Sequence, residues 1–309
     1  MGSVDVLIIG GGPGGLSVAT GLARQLYTAV VFDSGVYSNA RTNHMHNVLT
    51  WDHRSPVEFR AKARADLLAR YETIQFQDVQ IESIRRNDSG RFEAVDSKGM
   101  TWTGRKVVLA VGAKVIYPDI PGYDDVWGRG VYACLFCHGY EDRGVSSAAV
   151  LAIGNTANVP PALHVSRMAK RLTSNVVIYT NGSSELGNQI QTALSKDAVF
   201  QVDHRVVTRL EKVAEDSSEV IVHLDDGSRV SHGFIVNQPK TRVNGTFVEQ
   251  LGLELNEMGS IKTVNMVYET TAPGVFAVGD CATHMAAVAN AAAMGAFAAG
   301  GLVAQLGAE

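Results

Sequence analysis

The chain has 309 residues, 46% of them hydrophobic, a formal net charge of −4 and a pI near 6.1. That length can build two sizeable cores, and the absence of a basic run excludes a nucleic-acid-binding footprint. Three cysteines, Cys134, Cys137 and Cys281, exclude a secreted disulfide framework.

The opening MGSVDVLIIGGGPGG lacks the basic segment of a signal peptide and runs straight into a strand, so a cytoplasmic protein is expected. Val4 to Ile9 is a short continuous apolar run, as in a buried parallel strand. Gly10 to Gly15 is a turn, Leu16 to Gln25 reads as a helix, and Ala29 to Phe32 as a second strand ending at Asp33. Together they form one βαβ unit. Ser55 to Tyr71 is amphipathic, with Pro56 suited to a first helical turn. Short strands are expected at Gln75 to Ile84, Phe92 to Asp96 and Thr101 to Trp102, then a buried strand at Lys106 to Val111. Pro118, Pro121 and Gly122 punctuate a crossover.

A second βαβ pattern follows: Ala148 to Ile153, a turn at Gly154, a helix from Pro161 to Leu172 and a strand from Asn175 to Tyr179. Further strands run to about Val236, and Phe276 to Val278 is a last strand. Ala286 to Leu306 carries no charge and is long enough to span a bilayer. Its Ala and Gly content supplies little transfer energy, so a helix packed closely on the protein is expected, without membrane insertion. The fold class is therefore α/β, with two Rossmann-like dinucleotide-binding domains, the second inserted in the first. Residues 1–114 and 238–309 form one domain and 115–237 the other.

Gly10-x-Gly12-x-x-Gly15 is a dinucleotide fingerprint in its proper place between strand and helix. Gly10 permits the tight turn, Gly12 lets backbone amides approach a pyrophosphate, and Gly15 allows close helix–strand packing. The helix N-terminus favours phosphate charge, and Asp33 is placed to accept hydrogen bonds from a ribose. A distant segment, Thr271-Ala-Pro-Gly274-Val-Phe-Ala277-Val-Gly279-Asp280, resembles the closing motif of two-dinucleotide flavoproteins. That resemblance implies FAD as cofactor, Asp280 on the flavin ribitol, and a helix beginning near Ala289 with its N-terminal amides toward the flavin pyrimidine. Pro13, Val79 and Gly112 complete the expected FAD contacts.

Cys134-Leu-Phe-Cys137-His138 is the second motif. A C-x-x-C pair can close a small, reducible disulfide. A zinc knuckle would need two further ligands, and no second C-x-x-C or H-x-x-x-H partner is present, so no metal is expected. Two buried structural thiols are the remaining alternative. His138 beside the pair favours thiol–disulfide exchange, which needs an acid and a base. Cys281 reads as a buried small residue.

These features together resemble the thioredoxin reductase family of low-molecular-weight flavoproteins, over nearly the whole chain. The resemblance implies that Cys137 is the thiol next to the flavin, that Cys134 is the outer thiol that meets substrate, and that the protein is a homodimer. The family's usual Asp after the second Cys is His138 here. CLFCHGYE, with His44-Met-His46-x-Val48-x-Thr50-Trp-Asp-His53-Arg54, is similar to a narrower group, the dithiol oxidases of epidithiodiketopiperazine and dithiolopyrrolone biosynthesis, which includes gliotoxin oxidase and holomycin oxidase. Loose alignment implies Asn47 as a flavin contact. His44, His46 and His53 are open between contacting flavin and capping a loop.

A working NADPH site in the second domain should show a second glycine fingerprint and basic residues after the next strand. The chain offers Gly154-Asn-Thr-Ala157-Asn-Val159 and then Tyr179-Thr-Asn-Gly-Ser-Ser184, without Arg or Lys. Electrons are therefore expected to run from a small-molecule dithiol through Cys134 and Cys137 to FAD and then to O2, giving H2O2. An NADPH-dependent disulfide reductase and a non-catalytic flavin-binding protein are the alternatives.

Overall fold

The computed structural model describes residues 3–194 and 198–309. They form two compact units, one of Met1–Ala40, Val48–Lys114 and Thr241–Glu309, the other of Arg41–Asn47 and Val115–Lys240. The crossings fall within a few residues of positions 115 and 238. One feature differs from the expected partition: residues 41–47 belong with the second unit, although sequence continuity suggested the first.

The first unit begins with β1 (Val4–Ile9), α1 (Pro13–Ala23) and β2 (Ala29–Phe32). Pro13 starts α1 three residues before the expected Leu16, because its fixed φ suits a first helical position and its missing N–H costs nothing there. α2 (Pro56–Arg70) is capped by Ser55, whose hydroxyl accepts from the amides of Val57 and Glu58. The expected strand at Gln75 to Ile84 is two, β3 (Ile74–Gln77) and β4 (Ile81–Arg86). β5 (Phe92–Asp96) and β6 (Thr101–Leu109) follow. β6 merges two expected strands: its first half pairs antiparallel with β5 and its second half parallel with the last strand of the unit. β7 (Ala113–Ile116) then leads out.

The second unit contains α3 (Tyr123–Val126), β8 (Val131–Tyr132), β9 (Ala148–Leu151), α4 (Val159–Ala169), β10 (Val176–Tyr179), α5 (Ser184–Leu194), β11 (Phe200–Asp203), β12 (Val207–Lys212), β13 (Val220–Leu224), β14 (Arg229–His232), β15 (Ile235–Val236) and β16 (Lys240–Val243), which leads back. Its parallel sheet has the order β11-β10-β9-β15-β8, beside an antiparallel β12-β13-β14 sheet. Its interior includes one polar group of note. His232 is 1% exposed, with its Nε2 2.9 Å from the Tyr179 hydroxyl and its Nδ1 2.8 Å from that of Ser147. Burial pushes this imidazole down to about 4.

The chain returns to the first unit through α6 (Phe247–Gln250), β17 (Val275–Ala277) and α7 (Val288–Ala308). The sheet order is β3-β2-β1-β6-β5-β4, with β17 on the second half of β6. Residues alternate faces along β1. Val6 and Ile8 join the core under α1 and α7, while Leu7 and Ile9 join the core with Phe92 and Trp102. That double burial is why the strand reads as an unbroken apolar run.

Among the described residues α7 is the one helix long and apolar enough to cross a bilayer. Its buried stripe lies on α1, with Met294, Ala298 and Leu302 in the core. Burying each large side chain contributes about 1.5–3 kcal/mol. The approach is close: a Cβ on Gly295 would lie 2.4 Å from the Gly14 carbonyl oxygen, and one on Gly21 2.4 Å from the Ala299 Cβ. Ser17 donates to the Ala292 carbonyl at 2.6 Å.

Gly295→Ala should therefore destabilise the first unit by about 1–3 kcal/mol, because helix backbone must move to admit one methyl; thermal unfolding of the purified variant measures it. His232 gives a pH signature. Its proton affinity is lower folded than unfolded, so its stabilising contribution is complete above pH 6.5 and is lost as pH falls toward 4. Urea titrations should show a loss on the order of 3 kcal/mol across that window, and His232→Gln should flatten the slope.

Candidate active site

The parallel strands β1, β2, β6 and β17 all end on one edge of the first unit's sheet, where an α/β crevice takes its ligand. At the end of β1, Gly10 has φ +121°, and a Cβ there would sit 2.2 Å from the Ala110 carbonyl oxygen. Gly15 is equally constrained: a Cβ would come within 2.0 Å of the Gly10 carbonyl. Gly12 is different. A Cβ there would meet nothing within 4 Å, so packing within the protein gives no reason for glycine. Approach of a ligand phosphate to the amides opening α1 at Pro13 does. The turn therefore fits a dinucleotide pyrophosphate.

Asp33 follows β2, and its carboxylate accepts from the Gly35 amide at 3.0 Å and the Tyr37 hydroxyl at 2.5 Å. A Cβ on Gly11 would collide with that carboxylate at 2.3 Å, so a fourth glycine is required where the fingerprint is permissive. The guanidinium of buried Arg60 lies 3.6 Å from the Tyr37 ring centroid and donates to Asn39. Burial, then the bond to Asp33, pushes the Tyr37 hydroxyl up to about 12, so it remains a donor. Tyr37 and Arg60 carry no motif signature, and only the four-residue offset of Tyr37 from Asp33 could have pointed to it.

After β6, Gly112 takes φ +68° and its carbonyl accepts from the Asn244 amide at 3.2 Å. After β17, Gly279 takes φ +75° and places Asp280 in a short 3₁₀ turn, where Ser38 donates to the carboxylate at 3.3 Å. Burial raises the Asp280 carboxyl above its ordinary value, and Ser38 partly offsets this. Ala289 lies in the first turn of α7, whose N-cap, Ala287, has no side-chain group to satisfy the opening amides. Val79 is buried in the core, its side chain committed to packing. Asn47 lies in the second unit with the 41–47 segment, at φ +59°.

In the second unit, Cys134 and Cys137 form a disulfide in the turn after β8, with Cα atoms 5.3 Å apart. The amides of Cys137 and His138 both donate to the Cys134 carbonyl, at 3.2 and 3.1 Å. Paired this way, the sulfurs form the small disulfide that C-x-x-C spacing allows. Gly139, φ +96°, turns the chain where a Cβ would press on Leu135 and Leu172. The His138 ring stacks on Tyr132, centroids 4.8 Å apart and planes 16° from parallel. The Tyr132 hydroxyl donates to Asp142 at 2.9 Å, and Ser218 donates to the other Asp142 oxygen at 2.5 Å. Burial lowers the proton affinity of His138; His46 acts in the same direction, while Glu141 and Asp142 oppose them. Tyr132 and Asp142 were not legible as partners, since their link to His138 is an aromatic face. Cys281 is fully buried with its thiol pushed up to about 12, its Sγ donating to the Leu109 and Val278 carbonyls.

The second glycine turn differs from the first. Gly154 has φ +62°, but the amides of Asn155, Thr156 and Ala157 donate to the carbonyls of Gln238, Ile153 and Gly154. Thr156 is fully buried, and its hydroxyl accepts from Asn237 and the Gln238 amide. α4 then opens with Pro160 and Pro161, two positions without an N–H. At the end of β10, Asn181 accepts from the Val207 amide. Arg205, a nearby cation, is bound by Asp203 and Asp226.

The pyridine nucleotide-disulphide oxidoreductase family model matches residues 4–295. "Thioredoxin reductase aclD" of Aspergillus oryzae is 47% identical, with 98% of this chain and 96% of that protein covered. "Thioredoxin reductase sirT" of Leptosphaeria maculans is 39% identical, covering 96% and 93%. The solved structure of an oxidoreductase from Agrobacterium tumefaciens is 30% identical with a TM-score of 0.87, covering 99% of each chain. A glycine turn open to a pyrophosphate and a C-x-x-C disulfide fit these likenesses, and the chain belongs to the pyridine nucleotide-disulphide oxidoreductase family as an FAD-binding, thioredoxin reductase-like disulfide oxidoreductase.

Proposed function

We propose that the chain is a dithiol oxidase: it closes an intramolecular disulfide in a small dithiol of the diketopiperazine type and passes the electrons to O2. The observation that carries this reading is the second glycine turn. Pyrophosphate binding at a strand-to-helix turn needs open backbone amides. Here three are engaged internally and two helix positions are prolines. A 2′-phosphate needs unpaired positive charge, and Arg205 already serves two carboxylates. Both features disfavour electron entry from NADPH and favour entry from a thiol substrate. The likeness of CLFCHGYE to dithiol oxidases supports the same direction.

Gly10, Gly12, Gly15 and the α1 N-terminus would hold the FAD pyrophosphate, Asp33 the ribose and Asp280 the ribitol. Bound FAD supplies a two-electron acceptor that dioxygen can reoxidise. A substrate thiolate attacks Cys134, forming a mixed disulfide and releasing Cys137 as thiolate. The second substrate thiol attacks its own disulfide-bound sulfur; the product disulfide forms and the Cys134–substrate bond breaks. The substrate has lost two electrons and two protons, and Cys134 and Cys137 hold the electron pair as thiols. His138 relays these protons one at a time, taking each from a substrate thiol and returning it to a cysteine sulfur. Burial keeps its imidazole neutral and so able to act as base near neutral pH.

The relatives' names favour a second reading, an NADPH-dependent disulfide reductase. Anaerobic mixing with NADPH separates the two. The flavin absorbance should stay unbleached with NADPH and bleach with a reduced cyclic dithiol; the reverse pattern makes the chain a reductase. In air, oxygen uptake with the dithiol should yield H2O2 one for one. Cys134→Ser and Cys137→Ser should each lower turnover at least about a thousandfold, because each removes half of an exchange that acts as a unit.

A further inference from the structure

Arg60 is a charge in an inward position. The buried residues of α2 are Pro56, Arg60 and Leu67, which share one helix face, where a surface helix normally carries apolar side chains. A buried charge is costly unless it is paired and hydrogen-bonded, so its partners bear on why it is there. Two of them lie in the loop after β2. The guanidinium sits over the Tyr37 ring, 3.6 Å from its centroid, and donates to Asn39 Oδ1 at 2.9 Å. That loop, residues 34–39, has neither helix nor strand of its own. It also reaches two carboxylates: the Tyr37 hydroxyl donates to Asp33 Oδ2 at 2.5 Å, and Ser38 donates to Asp280 Oδ2 at 3.3 Å. Asp33 follows β2 and Asp280 follows β17, so the loop links two sites far apart in sequence. The residues on either side of Ser38 are the two that Arg60 grips.

We propose that Arg60 is a positioning residue for FAD: by holding Tyr37 and Asn39 it fixes the 34–39 loop, and through that loop it sets Asp33 for the adenosine ribose and Asp280 for the ribitol. Arg60 acts only through the loop and makes no contact with the cofactor itself. Tyr37 has two separable parts in this arrangement, a ring that Arg60 covers and a hydroxyl that Asp33 accepts. The proposal rests on the placement of FAD against Asp33 and Asp280 and is independent of whether the electrons come from a dithiol or from NADPH.

Equilibrium binding to the full chain, freed of flavin and refilled, tests this with three probes. FAD carries both sugars, ADP only the adenosine ribose and FMN only the ribitol. Tyr37→Phe keeps the ring and deletes the bond to Asp33, so it should weaken FAD and ADP about fivefold and leave FMN unchanged. Ser38→Ala should weaken FAD and FMN about threefold and leave ADP unchanged, since its bond is exposed. Arg60→Met keeps the stem and loses the charge; it should weaken all three probes, FAD by at least about tenfold. Tyr37→Leu removes the ring and should extend the loss to FMN, which Tyr37→Phe spares. Added to Arg60→Met, Ser38→Ala should have no further effect, because the loop no longer presents Ser38.

Losses at both ends, with the Ser38 effect absorbed into that of Arg60, support the proposal. Loss confined to one probe end, or an undiminished Ser38 effect in the Arg60→Met background, overturns it, because a purely structural arginine would leave the Ser38 bond intact. Should Arg60→Met fail to fold, Tyr37→Leu decides on the same criteria. Asp33→Ala and Asp280→Ala test the cofactor placement separately. If both bind FAD as the wild type does, the placement is wrong and the proposal falls with it. If both weaken FAD while Arg60→Met and Tyr37→Leu do not, the placement stands and the role of Arg60 alone is overturned.

Discussion

Backbone amides at strand-to-helix turns are strong donors that must be satisfied by something. This chain uses the same turn twice, with opposite results. After β1 the glycines keep the turn tight, leave the space beside Gly12 open, and direct a helix N-terminus toward it. After β9 the equivalent amides are taken by neighbouring carbonyls, a buried threonine fills the turn, and prolines open the helix. A dinucleotide can be held only where donors remain. The difference lies in a handful of hydrogen bonds, and the proposed direction of electron flow rests on it.

The proposed thiol exchange also asks for a base, and His138 follows the two cysteines directly in sequence. An imidazole in water is half protonated near pH 6.5. Withdrawing His138 from solvent disfavours the cation. The surrounding carboxylates work against that effect, so the basicity of His138 is a compromise between burial and charge. Asp142, tied to Tyr132 and Ser218, also fixes the ring on which the imidazole rests. One carboxylate thereby serves geometry and electrostatics together.

Much of this was legible in the amino-acid order. The unbroken apolar run of β1, the proline at the head of α2 and the fingerprint glycines report local constraints, and local constraints leave local patterns. The errors came where long-range pairing decides. β6 continues through the expected break near Trp102 because two different strands hold its outer edge. The Gly154 turn looked unfit for its loss of glycines, but the sharper reasons are Pro160 and Pro161 and the carbonyls of distant residues such as Gln238. Residues 41–47 pack with the second unit although both flanking stretches belong to the first, and nothing in their composition announces it.

Cys281 has a practical consequence. Its sulfur is sealed in the core, donates to two carbonyls, and holds its proton far above physiological pH. A native-state alkylating reagent therefore finds no thiolate there. The mass added by such a reagent becomes a direct tally of how many enzyme molecules carry an open Cys134–Cys137 pair, and the redox state can be followed in the unmutated protein.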